Sequence, residues 1–391
     1  MPDHPLPPPG SVGPPHAYGH LRAEHPAVQV RLPVDAPGWF VTRYADVRTL
    51  LADGRLIRPP VDGWPPHPDA CPAQPAQLIT LMELDGPRHQ ALRAAVADVF
   101  SLRATRGRRP AIRRQADRIL DAFEHSGRPG DLVTGYAELF PLLVVCELTG
   151  LPFEDRHDFL APADAALGAL ISREDQREVT RWLRAYLTSL IERKRRRPSQ
   201  DLLSGLVRRC DAGELKTDDV IAFGLSMLVA GFRTTTMFLA NAIHQLLMRP
   251  AQLAALRADH GLLPQAVEEL LRFLPVMNGP VILLATEDIP LSDVTIRAGE
   301  AVVPAIASAN LDETVFARAA ELDLNRAKNP HLAFGRGKHN CIGAHLARAQ
   351  LEIGLEALLD RFPRLRLCDR AAVRWDDAAP IKSPLSLPVE W

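Results

Sequence analysis

Cysteine is scarce in this chain of 391 residues: Cys71, Cys146, Cys210, Cys341 and Cys368 are scattered and odd in number. That excludes a disulfide framework and suits a reducing compartment. No two have the paired spacing of a structural zinc site. A surplus of charge is missing as well, since 46 Lys and Arg against 47 Asp and Glu leave a formal charge of -1. This argues against nucleic acid as a partner. No G-x-G-x-x-G follows a strand, so the chain has no flavin or nicotinamide fingerprint. Residues 1–15 are proline-rich without the basic start and apolar core of a signal peptide, and no apolar run approaches membrane-spanning length. The expectation is a soluble, cytoplasmic protein with no membrane partner.

What is present is an ordinary globular composition, 47% hydrophobic and 24% charged, sufficient for a large core. We read residues 1–17 as a disordered lead-in and 18–391 as one domain. Short alternation predicts strands at 28–32 and 39–42 and a helix over 44–53. Seven prolines between Arg58 and Gln77 exclude a helix or central strand there and point to a functional loop. Successive helices are predicted from 87 to 207, one of them ending in the basic run Arg193 to Arg197 before Pro198. Such a run is either a partner site or a solvated helix end. Thr217, Asp218 and Asp219 offer an N-cap and acidic first turn to a long helix reaching about Met248, apolar all round apart from Arg233, which must cross the core. A helix over 263–273 follows, then strands at 281–285, 294–296 and 301–304. The fold class is mainly α with a minor β-sheet.

The most informative stretch is Phe334-Gly335-Arg336-Gly337-Lys338-His339-Asn340-Cys341-Ile342-Gly343. Gly335, Gly337 and Gly343 allow backbone conformations that turn amides toward the sulfur. A helix is predicted over 342–361, so its positive end would point at Cys341 and favour a thiolate. One thiolate with no second cysteine is a poor zinc site and a good axial ligand for haem iron. The loop resembles the haem-ligand signature F-G-x-G-x-H-x-C-x-G of the cytochrome P450 family, with every defining position filled. The resemblance implies a single-domain fold with haem b (iron protoporphyrin IX) between the long core helix and the helix that follows the ligand, Cys341 on the iron and His339 on a propionate.

Three further elements stand in the family's order. Glu269 and Arg272 lie three apart on one predicted helix, a spacing that by itself describes a surface pair. By resemblance they form the E-x-x-R element, joined by Arg326 from Asp323-Leu324-Asn325-Arg326 in a structural role. His89 and Arg93 lie four apart on one helical face, and by resemblance they serve the haem propionates. Ala230-Gly231-Phe232-Arg233-Thr234-Thr235 aligns with A-G-x-[ED]-T-T. Gly231 would let oxygen approach the backbone, and the Thr234 hydroxyl would guide protons or bond back to a carbonyl one turn earlier.

Two departures stand out. Arg233 replaces the family's usual acid, and a cation in an apolar helix needs a partner. Either it pairs with a carboxylate on a neighbouring helix, or it reaches the pocket and holds a substrate carboxylate or carbonyl. Leu283 stands where relatives often carry an arginine for a propionate. The resemblance implies an oxidase or monooxygenase that activates O2 with electrons from a ferredoxin and its reductase; the basic residues Arg336, Lys338 and Arg348 near the ligand loop are either a docking site for an acidic ferredoxin or ordinary solvated charges. Its substrate would be a small organic molecule, in a secondary-metabolite tailoring step such as hydroxylation or oxidative coupling of a peptide, cyclodipeptide or polyketide. Substrate contacts are expected from 60–82, 155–180, 228–234, 276–283 and 381–387. A peroxygenase or radical-coupling variant with Arg233 on the substrate, and a non-catalytic haem sensor, are the alternatives.

Overall fold

In a computed structural model of the chain, the described residues are 2–3, 5, 16–32, 35–59, 80–167, 173–275, 281–375 and 382–391. They form a mainly helical protein with small sheets and divide into two compact units, each discontinuous in sequence. One comprises Met1–Gln74, Pro264–Cys341 and Pro380–Lys382; the other comprises Pro75–Leu263, Ile342–Ala379 and Ser383–Trp391.

The first unit is organised by a five-stranded sheet in the order Ala27–Arg31, Pro37–Val41, Ala301–Pro304, Leu283–Ala285, Leu56–Ile57. Neighbours are antiparallel except Pro37–Val41 with Ala301–Pro304, where Phe40 pairs with Val303 in parallel register. Side chains on a strand alternate between faces, and both faces are dry here. Val41, Leu56, Leu283 and Val302 enter one hydrophobic cluster, while Phe40, Leu284, Ala301 and Val303 enter another. The helix Ala17–Glu24, absent from the sequence prediction, is fixed by buried Arg22, which donates to the Ser308 carbonyl and to Glu313. The lead-in is tied down at two points that are described. The Arg31 amide donates to the Pro2 carbonyl at 2.8 Å, and the Tyr18 hydroxyl donates to Pro5 at 3.1 Å. The remainder of the expected disordered segment, like most of the proline-rich loop, lies outside the described residues.

The second unit is a helix assembly. The helix Ala344–Arg361 packs along Leu102–His125, and on another side its Gly354 leaves room for Phe140 and for Tyr136, whose hydroxyl donates to the Gly354 carbonyl at 2.7 Å. The core helix spans Thr217–Leu247, 31 residues. By length and composition it could cross a membrane, contrary to the expectation that no run reaches that size. Its apolar surface is instead buried inside the protein, as in a core helix that is apolar all round. Its N-cap is Lys216 rather than Thr217. Lysine accepts no hydrogen bond, so the Asp219 carboxylate reaches back to the Lys216 amide at 2.8 Å. The expected single run of α-helix is interrupted by a π-helical turn, Met227–Gly231. The basic run at the end of Arg173–Arg196 is held by Arg193–Asp155, Lys194–Asp201 and Arg195–Asp211 ion pairs.

Candidate functional site

In the first unit, the cysteine loop is built on two left-handed glycines, Gly335 at φ 68° and Gly337 at φ 73°. Gly337 has a second reason to be glycine. A Cβ there would lie 2.5 Å from the Leu51 carbonyl oxygen, a backbone atom that cannot step aside. Gly343 has an ordinary φ of -83° and serves as N-cap of the helix Ala344–Arg361. That helix therefore begins three residues beyond Cys341, later than the sequence suggested, with a short 3-10 turn over Gly337–His339 in between. The loop is closed by the Cys341 amide, which donates to the Phe334 carbonyl at 2.8 Å. Cys341 is exposed; Phe334 and His339 are half-buried beside it in sequence.

Glu269, Arg272 and Arg326 are brought together as a buried network rather than a surface pair. Arg272 lays two N–H groups on the Glu269 carboxylate at 2.8 and 2.7 Å. Arg326 Nε donates to the same carboxylate at 2.9 Å, joined by the Asp323 amide and the Asn329 side chain, two partners that spacing did not reveal. Arg272 spends its remaining donors on the carbonyls of Asn310, Ala319 and Glu321. Glu269 is 0% and Arg272 1% exposed, and such burial is tolerable only when every donor and acceptor is met. Leu283 lies inside the sheet, opposite Val302.

In the second unit, exposure singles out one strip of the core helix. From Val220 to Val229 and from Thr235 to Ile243 every residue is buried, whereas Ala230, Gly231, Arg233 and Thr234 retain access. The strip coincides with the end of the π turn. The Thr234 hydroxyl donates to the Ala230 carbonyl at 2.9 Å, a side-chain bond that competes with the regular ladder. Such π turns recur at functional sites.

Arg233 points to neighbouring helical elements. Its NH1 meets Glu138 at 3.1 Å, just before Leu139–Thr149, and its Nε meets Asp164 on Arg156–Leu167 at 2.5 Å. Of the two readings of Arg233, this geometry is that of the carboxylate pair. Neither acid carried a local signal, since Glu138 lies 95 residues away in sequence. His89 is buried and Arg93 half-buried one turn further along Gly86–Phe100.

The donor chemistry fits a haem. Among the described residues no three His, Cys, Asp or Glu side chains converge to hold a bare metal ion. The accessible Cys341 thiol, outside any such cluster, suits an iron whose other ligands come from a porphyrin.

Comparison with known proteins agrees with these features. The sequence model of the family described as Cytochrome P450 matches residues 171–374. The chain is 40% identical over 377 residues to nocardicin C N-oxygenase of Nocardia uniformis subsp. tsuyamanensis, covering 96% of this chain and 94% of that protein. It is 37% identical over 380 residues to mycinamicin IV hydroxylase/epoxidase of Micromonospora griseorubida, with 96% and 94% covered. Among solved structures, cytochrome P450mel 107F1 with biaryl coupling reactivity superposes with a TM-score of 0.90 at 35% identity, over 98% of each chain.

Proposed function

The chain belongs to the cytochrome P450 family, and from that premise we propose that it tailors a natural-product scaffold, hydroxylating it or coupling two of its carbons oxidatively. The observation that carries the reading is an accessible thiol on a loop of two left-handed glycines, outside any cluster of three metal-ligating side chains among the described residues. The family implies haem, and we take it to be haem b, whose iron the Cys341 thiolate would hold. When bound, haem would supply the iron at which O2 is reduced by two external electrons and two protons; in hydroxylation one oxygen atom goes to the substrate and the other to water, and in coupling both leave as water as the substrate gives up two hydrogens.

The chain's own residues then have distinct tasks. Gly335 and Gly337 hold the loop in a conformation other residues resist, and Phe334 and Gly343 bound it. His89, Arg93 and His339 are the assigned propionate partners. Gly231 keeps the exposed strip of the core helix free of side-chain bulk. Thr234 holds its proton on the Ala230 carbonyl, leaving the oxygen lone pairs of Oγ1 able to accept a hydrogen bond. Arg233 is a positioning residue, its Nε and NH1 engaged by Asp164 and Glu138. Glu269, Arg272 and Arg326 brace the segment that precedes the ligand loop. Electrons come from a separate redox protein. A ferredoxin with its reductase, docking on Arg336, Lys338 and Arg348, suits a chain without a dinucleotide fingerprint.

The test is a visible spectrum of the purified protein, reduced and exposed to carbon monoxide. A thiolate-type Soret shift is expected, and its loss in Cys341→Ser; an unshifted wild-type spectrum sinks the reading. Turnover that needs ferredoxin, reductase and O2 separates it from peroxide-driven chemistry, and any product formation separates it from a haem sensor.

A further inference from the structure

One cavity of about 800 Å³ lies wholly inside the second unit, lined mainly by residues of Gly86–Phe100, Leu102–His125, Leu139–Thr149 and Leu202–Asp211, with Leu346 of Ala344–Arg361, and by none of the core helix. Its volume is that of a site for a drug-sized molecule. Val99, Ile112, Val144, Leu206 and Leu346 make much of the wall apolar.

Three acids and three arginines line that wall, but they are not all paired with one another. Each lining acid has a partner: Glu147 accepts from the Gln115 side chain, Asp201 pairs with Lys194 at 2.5 Å, and Glu214 lies 3.7 Å from Arg209. Two lining cations are different. Among the described residues, neither Arg108 nor Arg208 has a carboxylate within ion-pair distance. Arg108 is half-buried and spends one N–H on the Val99 carbonyl at 2.7 Å. Burial pushes its guanidinium below the ordinary arginine range. A cation taken partly out of water without a counter-ion is an anion site in waiting. The second observation is independent of charge. Gln115, 9% exposed, has its side-chain oxygen buried with no hydrogen-bond donor among the described residues, a state that native interiors avoid.

An anion, a donor for the Gln115 oxygen and an apolar body are thus wanted together. We propose that this cavity binds an amphipathic carboxylate bearing an N–H donor, of the N-acyl amino acid kind. The carboxylate lies on Arg108 and Arg208, the amide N–H on Gln115 Oε1, and the acyl chain along Val99, Ile112 and Leu206. The site is additional to the haem chemistry and does not depend on the substrate assigned above.

Calorimetric titration of the holoenzyme with N-decanoylglycine tests it, the Soret band being followed in parallel. One equivalent is expected to bind with the Soret band unchanged. The methyl ester, which lacks the charge, and N-decanoyl-N-methylglycine, which lacks the N–H, should each bind about tenfold more weakly. Arg208→Gln, at an exposed position, should weaken the acid by about tenfold and leave the ester unaffected. Gln115→Leu should erase the preference over the N-methyl compound, and Ala111→Trp, which fills the cavity, should abolish binding. Equal binding of acid and ester, full affinity in Arg208→Gln and Ala111→Trp, or a Soret shift that tracks the titration would each overturn the proposal.

Discussion

The two arginine networks, one in each unit, use the same chemistry under opposite conditions. Arg272 and Glu269 are sealed from water, and the carboxylate accepts five hydrogen bonds from Arg272, Arg326, Asp323 and Asn329. Arg233 meets Glu138 and Asp164 with their side chains 19%, 25% and 39% exposed. A charge buried dry costs several kcal/mol if its partner is removed, whereas water replaces much of what a wet pair loses. The first network is therefore obligate for folding. The second is an adjustable tie between the core helix and its neighbours.

Removing one partner from each network is the direct way to break that contrast. Glu269→Ala should cost about 3–5 kcal/mol, because it strands Arg272 and Arg326 without a counter-ion. Loss of soluble holoprotein, or a steep fall in denaturant midpoint, is the readout; a near-neutral result would remove the distinction. Next in size is Asp312, buried in the first unit. Burial raises its carboxyl, yet hydrogen bonds from Thr314 and the Tyr44 amide outweigh that and hold it below the usual range. A lowered folded value means stability that is present above the unfolded value and lost as pH falls through the folded one. Asp312→Asn should cost about 1–2 kcal/mol at neutral pH and flatten the acid limb of a stability profile.

A smaller effect is expected from a double-mutant cycle on Arg233→Gln and Asp164→Asn, with a coupling of about 1 kcal/mol or less that fades in salt. Coupling as large as that of Glu269 with Arg272 would show the exposed pair to be as obligate as the buried one. His244, outside both networks on the core helix, is the control. Burial first, and then the charge of Arg249, push its imidazole below the ordinary value. The unfolded chain takes up the proton first, so stability should decline modestly as pH falls below about 6.5 and level off beneath the folded value. His244→Gln should remove that decline and nothing else.

What could be read from the sequence was local. The cysteine loop, the three-residue spacing of Glu269 and Arg272, and the apolar run of the core helix are each contained in one window of chain. What could not be read depends on distant residues or on hydrogen-bond register. Glycine at 337 is demanded by the carbonyl of Leu51, and no motif names that partner. Whether Arg233 would pair with a carboxylate or reach the pocket was undecidable until Glu138 and Asp164 were brought to it. The π turn left no trace because a helix buried on every side has no periodicity for a register change to disturb. The late start of Ala344–Arg361 went unseen for a similar reason, since Ile342 continues the apolar spacing although it lies outside the helix.

The Arg233 cluster can also be counted as a single charged object. One guanidinium with the carboxylates of Glu138 and Asp164 carries a net charge of -1 when all three are ionised, +1 against -2. That is the sign a lone acid at position 233 would supply. The replacement has displaced the negative charge by the length of a side chain and divided it between two helical elements.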